Sequence, residues 1–256
     1  MMFPIRDENP QINVPYVTYA FIALNALAWL GLQGMGAEPA LSHSICQFGL
    51  IPADLTSQEF VSSRPLCVMD GNPDWYSLVS SVFMHGSWMH LIGNMWFLWI
   101  FGNNVEDSMG SVRFAIFYLL CGIAASVAQL FSDTGSVVPM VGASGAIGGV
   151  MGAYIVLYPR VHVHMFFLFR TFAIPAIVMI GYWIVMQLMG GFSSIGATGG
   201  GVAFWAHAGG FLAGMLLILV FKDEALLARH PFRGWKQTVH RENAWQKVPT
   251  RKEGWH

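Results

Sequence analysis

Residues 141–158 read VGASGAIGGVMGAYIVLY, and the fold turns on this stretch. It is apolar and rich in small residues, with glycines at 145, 148, 149 and 152 and a serine, Ser144, at its head. The whole chain is 55% hydrophobic and 11% charged, whereas soluble domains carry about 25% charged residues. Such a composition describes an integral membrane protein, and a polar side chain in lipid is costly and marks function. Two further apolar stretches carry polar groups of this kind. One holds His90 and Asn94, and the other holds His207.

Working outward, six apolar runs can be drawn as helical spans. They are Val14–Leu32, Trp88–Val105, Arg113–Phe131, Ser144–Tyr158, Phe172–Met189 and Val202–Phe221. The expected fold is an all-α membrane protein, a six-transmembrane-helix bundle whose short fourth helix is entered from a re-entrant loop. Residues 1–13 form a cytoplasmic segment, 14–221 the six-helix core with a long outer loop at 34–86, and 222–256 a basic cytoplasmic tail. The polar stretch Met1–Gln11 precedes a full-length apolar run, which reads as a span and not as a cleavable leader. Twelve of the 13 Lys and Arg residues, all but Arg64, fall on one side of this arrangement. The positive-inside rule makes that side, with both termini, cytoplasmic. The net charge of −1 and the lack of a basic nucleic-acid motif exclude a nucleic-acid partner. Cys46 and Cys67 lie in the outer loop, where a disulfide and two free thiols are equally open readings. Trp75, Tyr76 and Phe83 suit a loop resting at the membrane interface.

Helix rise sets the depth of the polar groups. Fourteen residues separate Ser144 from Tyr158, His207 from Phe221 and His90 from Asn104, and each separation spans about 21 Å. In a hydrocarbon core of about 30 Å, all three groups lie at one level, roughly 9 Å below the outer face. Residues 132–143, with Gly135, Pro139 and Gly142, must enter as irregular backbone, which is allowed only inside protein or beside water. Ser144 is then either an N-cap or a nucleophile beside the free N–H groups of a helix start. Gly210 and Gly214 match the glycine spacing of the fourth span, and small faces let helices approach closely. Close approach would bring His207 to Ser144 as a base; the alternative reading is a histidine hydrogen-bonded in the bundle interior. His90 and Asn94, at i and i+4, share a helix face and suit an uncharged oxyanion site. A metal site is not expected, because no carboxylate or cysteine completes a ligand set. His162 and His164 read as a solvated loop, and Glu106, Asp107 and Arg113 as a local ion-paired turn.

Three motifs combine these residues. Gly142-Ala143-Ser144-Gly145 is Gly-x-Ser-Gly; His85, His90 and Asn94 form His-x4-His-x3-Asn; Ala206, His207, Gly210 and Gly214 form Ala-His-x2-Gly-x3-Gly. Together and in this order they resemble the rhomboid intramembrane serine proteases, over about Pro15 to Phe221. The resemblance implies Ser144 as nucleophile, His207 as general base without an acidic third member, and His90 and Asn94 with the Ser144 N–H as oxyanion donors. His85, Gly142, Gly145, Gly210 and Gly214 support them. It further implies transmembrane protein substrates in the lipid bilayer, no cofactor and no metal. The expected location is a bacterial plasma membrane. Two positions differ from the family pattern. Tyr76-Ser77 stands where Trp-Arg is common, and Gly148 stands where some relatives place a tyrosine against the histidine. The alternatives are a catalytically silent rhomboid-like module that binds membrane proteins, and a transporter, which repeat symmetry would mark and which shows none here.

Overall fold

The computed structural model describes residues 3–56, 67–69, 72–194, 202–233 and 236–237. The polypeptide begins with strand β1 (Phe3–Asp7) and helix α1 (Tyr16–Gly31). The loop that follows carries the short helices α2 (Ala40–Phe48), α3 (Pro52–Thr56) and α4 (Ser77–Ser80). The core comprises α5 (Trp88–Met109), α6 (Ser111–Ser132), α7 (Ser144–Leu157), α8 (Ala176–Ser193) and α9 (Phe204–Phe221). Strands β2 (His162–Phe167) and β3 (Arg170–Pro175) separate α7 from α8. The short α10 (Glu224–Leu227) and the strands β4 (Phe232–Arg233) and β5 (Lys236–Gln237) close the described chain. Among the described residues α6, α8 and α9 are long and apolar enough to cross a membrane, and α1 and α7 are shorter apolar helices. Most of the basic tail, residue Arg64 and residues 195–201 lie outside the described residues.

Helix α7 is the centre of the bundle because its side chains are small. From Gly145 to Tyr154 every residue is buried. On one side Gly145 and Gly149 lie against Ala125 and Cys121 of α6, and on the other the Gly149 and Gly152 backbones meet α9. Gly210 and Gly214 of α9 lie directly against the carbonyl oxygens of Gly145 and Gly149. No side chain fits in either gap, so backbone packs on backbone.

At the other end of the bundle two acidic residues organise the N-terminal segment. The Glu106 carboxylate accepts hydrogen bonds from the Val17 and Thr18 N–H groups at 3.1 and 2.8 Å, and from the Thr18 and Ser111 hydroxyls. It therefore satisfies free donors at the start of α1, where a negative charge also meets the helix dipole. Asp107 accepts from Ile12 N and from Asn13 N and Nδ2. The pair thus anchors backbone 88 to 95 residues away in sequence, and the expected local ion pair is corrected: Arg113 meets Asp223 instead, at 3.5 Å. Between α5 and α6, Gly110 turns the chain at φ +83°, a conformation that only glycine adopts cheaply.

The chain is mainly helical and not all-α. Strands β1, β2 and β3 form an antiparallel sheet in that order. The solvated-loop reading of His162 and His164 is corrected with it. His162, Val163, His164 and Met165 alternate polar and apolar, the two-residue period of a strand. Val163 and Met165 are buried in the core, and the two histidines face Glu8 at 3.6 and 3.1 Å. Residues Phe172–Pro175 pair with β2, so the helix expected from Phe172 begins at Ala176. The β2–β3 turn places Leu168 and Phe169 at φ +43° and +65°, strain of order 1–3 kcal/mol at each.

Asp7 ends β1 against α7, where its carboxylate accepts the Tyr154 hydroxyl at 2.5 Å. Burial pushes the Asp7 pKa up from 3.8 to about 7. A carboxyl with a raised folded pKa holds its proton in the fold and loses it in the unfolded chain. Its contribution is therefore complete below about 3.8 and is lost as the pH rises to about 7. Asp7→Asn keeps an acceptor for Tyr154 and has no proton to lose. Its melting temperature in detergent is expected to exceed wild type at pH 8 and to match it near pH 4. Parallel melting curves at both values would refute this assignment.

In the loop between α1 and α5, Cys46 and Cys67 are joined as a disulfide with their Cα atoms 5.2 Å apart. Trp75 and Tyr76 are exposed. The Tyr76 hydroxyl donates to the Gln47 carbonyl at 2.8 Å, which ties the loop to the end of α2.

Candidate active site

The segment that carries Ser144 is positioned by backbone pairing. Leu50 and Met140 exchange two backbone hydrogen bonds, of 2.9 and 2.8 Å, and Gly142 N donates to Ser81 O at 2.9 Å. Gly142 has φ +126°, and a Cβ there would sit 2.6 Å from His90 Nε2 and 3.6 Å from Asn94 Nδ2. Both the backbone angle and the space therefore require glycine. The chain then enters α7 at Ser144, the first helical residue. The N-cap position belongs to Ala143, and the Ser144 side chain makes no cap bond. The capping alternative for Ser144 is thereby removed.

Instead, Ser144 Oγ lies 2.7 Å from Nε2 of His207. This contact follows from the glycine-mediated approach of α7 and α9, since Gly210 stands one turn beyond His207 and rests on the Gly145 carbonyl. His207 is 9% exposed. Its other ring nitrogen, Nδ1, lies 2.7 Å from Oε1 of Gln187 on α8. The Trp183 ring, one turn earlier on α8, tilts against the imidazole with centroids 5.7 Å apart. The space above Gly148 is bounded by His207 O at 3.0 Å and by the Trp183 ring at 3.6 Å. A tryptophan from α8 thus contacts His207 in a chain without a tyrosine at position 148.

On the opposite wall, Ser87 starts α5 by accepting the His90 N–H at 3.1 Å. One turn on, Asn94 is 7% exposed, and its Nδ2 has no hydrogen-bond partner among the described residues. His85 stands behind His90, with ring centroids 5.1 Å apart. Its backbone is clamped by the Gln33 side chain through bonds of 2.7 and 2.8 Å. Burial, with His90 nearby, pushes the His85 pKa down to about 3 and keeps this ring neutral. His90, Asn94, Ser144 and His207 line one cavity of about 520 Å³, together with Trp183 and Val141. The arrangement offers a hydroxyl, a base bonded to it and an unpaired amide donor.

Gln187 and Trp183 were not legible as site residues in the sequence. The available signal was a glutamine inside an otherwise apolar helix, a costly polar group by the same rule that singled out Ser144.

A family model described as the Rhomboid domain matches residues 72–224, more than half of the 256-residue chain. The chain belongs to the rhomboid family. It is 32% identical over 205 residues to the rhomboid protease GluP of Bacillus subtilis (strain 168), covering 80% of this chain and 34% of that protein. With RHOMBOID-like protein 5 of Arabidopsis thaliana it shares 31% identity over 233 residues, 84% of this chain and 71% of the relative. With the mitochondrial Rhomboid protein 1 of Saccharomyces cerevisiae it shares 30% over 146 residues, 55% and 40% of the two chains. The matches span less than two thirds of the Bacillus and yeast proteins. Rhomboid membership and the apolar helices make this an integral membrane protein. Relatives of bacterial, plant and mitochondrial origin set a membrane as its location without specifying which.

Proposed function

We propose that this rhomboid is an intramembrane serine endopeptidase that cleaves transmembrane protein substrates with Ser144 and His207. The observation that supports it most is the 2.7 Å contact between Ser144 Oγ and His207 Nε2, beside an unpartnered amide on Asn94. The relatives named as proteases support the same class. Six membrane crossings, formed by α1 and α5 to α9, go with this reading, with both termini cytoplasmic.

His207 Nε2 accepts the Ser144 proton as Oγ attacks the substrate carbonyl carbon. The carbonyl oxygen gains a negative charge that the Asn94 amide, the His90 ring and the Ser144 N–H meet in a low-dielectric site. The intermediate collapses as His207 returns the proton to the leaving amine. Water from the cavity then hydrolyses the acyl-enzyme by the same steps in reverse.

A serine-directed fluorophosphonate probe tests the reading. Labelling is expected at Ser144 in the wild type and is expected to vanish in His207→Ala, which retains the serine but not its base. An unlabelled wild-type chain would favour the silent binding module. Asn94→Ala is expected to lower kcat by about 100-fold, the scale of one oxyanion donor, with KM for a reporter substrate unchanged. An unaltered kcat would remove Asn94 from the oxyanion site.

A further inference from the structure

The proposed reaction needs one tautomer of His207. To take the Ser144 proton, Nε2 must carry a lone pair, so the ring proton must sit on Nδ1. A buried imidazole adopts whichever tautomer its other nitrogen's partner dictates. That partner is Gln187 Oε1, at 2.7 Å. A carbonyl oxygen only accepts, so the contact holds the proton on Nδ1 and leaves Nε2 free for Ser144 Oγ.

From this geometry we infer that Gln187 is a positioning residue: it fixes the tautomer and the ring plane of His207 from α8. The inference rests on the proposed Ser144–His207 chemistry. Two further observations support it. Trp183, one turn before Gln187, packs on the same imidazole, so α8 presents both a bond and a surface to His207. Gly148 has no side chain to place against the face of that ring, and the surface beside it comes from Trp183 of α8. The choice of an amide also has a physical reason. A carboxylate in this position would be a buried charge without a cation to pair with, which costs several kcal/mol, whereas a neutral acceptor fixes orientation without that penalty. The resulting constellation is Ser144, His207 and Gln187, with three helices each contributing one member.

The test uses the full chain in proteoliposomes with a transmembrane reporter substrate. Gln187→Met conserves most of the volume and removes the acceptor. It is expected to lower kcat about 10- to 100-fold, part of the 10²–10⁴ that a positioned general base supplies, with KM and melting temperature close to wild type. Wild-type kcat in Gln187→Met overturns the inference. Fluorophosphonate labelling of wild type separates this failure from failure of the protease reading itself. Nitrogen-15 NMR of the His207 ring in Ser144→Ala gives a readout that needs no activity. An Nδ1–H tautomer that becomes mixed when Gln187→Met is added supports the assignment, and an unchanged tautomer overturns it.

Discussion

Ser144→Ala is expected to abolish cleavage of a transmembrane reporter while leaving the melting temperature within a few degrees of wild type. The two halves of this expectation have separate causes. Alanine removes Oγ, the attacking atom of the proposed reaction, which stands 2.7 Å from His207 Nε2. In serine proteases, loss of the nucleophile costs on the order of 10⁶ in kcat. The structural cost is small because Ser144 neither caps α7 nor fills the core. One hydrogen bond is lost, worth about 1 kcal/mol net, and alanine is a good helix residue at the first position. Cleavage assayed in proteoliposomes, with melting followed on the same preparation, decides the outcome. Activity above a hundredth of wild type would show that another group attacks.

Gly214→Val has the second largest expected effect, and it acts seven residues from the chemistry. A Cβ at 214 would overlap the Gly149 carbonyl oxygen, carbonyl carbon and Cα of α7. None of these is the flexible end of a side chain, so α7 and α9 must separate. Overpacking of a tight core costs about 1–3 kcal/mol, and backbone on both sides leaves little room for relaxation. Gly214 lies about 10 Å along α9 from His207, close enough for the separation to lengthen the Ser144–His207 contact. A large fall in melting temperature, loss of fluorophosphonate labelling and at least a 100-fold fall in cleavage are expected together. Gly181→Ala on α8 is the control, because nothing lies within 4 Å of a Cβ there. It is expected to be silent or slightly stabilising, as glycine is about 1 kcal/mol worse than alanine in a helix. Wild-type labelling in Gly214→Val would mean that the glycine contact does not set the distance between the two helices.

The parts of the fold that were legible in the sequence share one property: each follows from a local period. Glycine spacing along 145–152 and at 210 and 214 marked the faces that meet. Helix rise put Ser144, His90 and His207 at one depth, and they line one cavity. The sheet is also written locally, in the alternation of His162, Val163, His164 and Met165, but polar histidines at that spacing read equally as a solvent-facing loop. The roles of Glu106 and Asp107 are hidden for a different reason. Their partners, Ile12, Asn13, Val17 and Thr18, are distant in sequence, and no spacing rule connects them.

Chemical identity and chain order thus came from the sequence by itself: a serine at a helix start, a histidine on a glycine-faced helix and a pair of uncharged donors on a third. Periodicity carries that information because helix geometry is the same wherever the helix stands. The tertiary structure alone decided which α8 side chains meet His207 and that Cys46 pairs with Cys67. The orientation of an imidazole depends on atoms within about 3 Å of its nitrogens, and Gln187 reaches that position only because α8 packs beside α9.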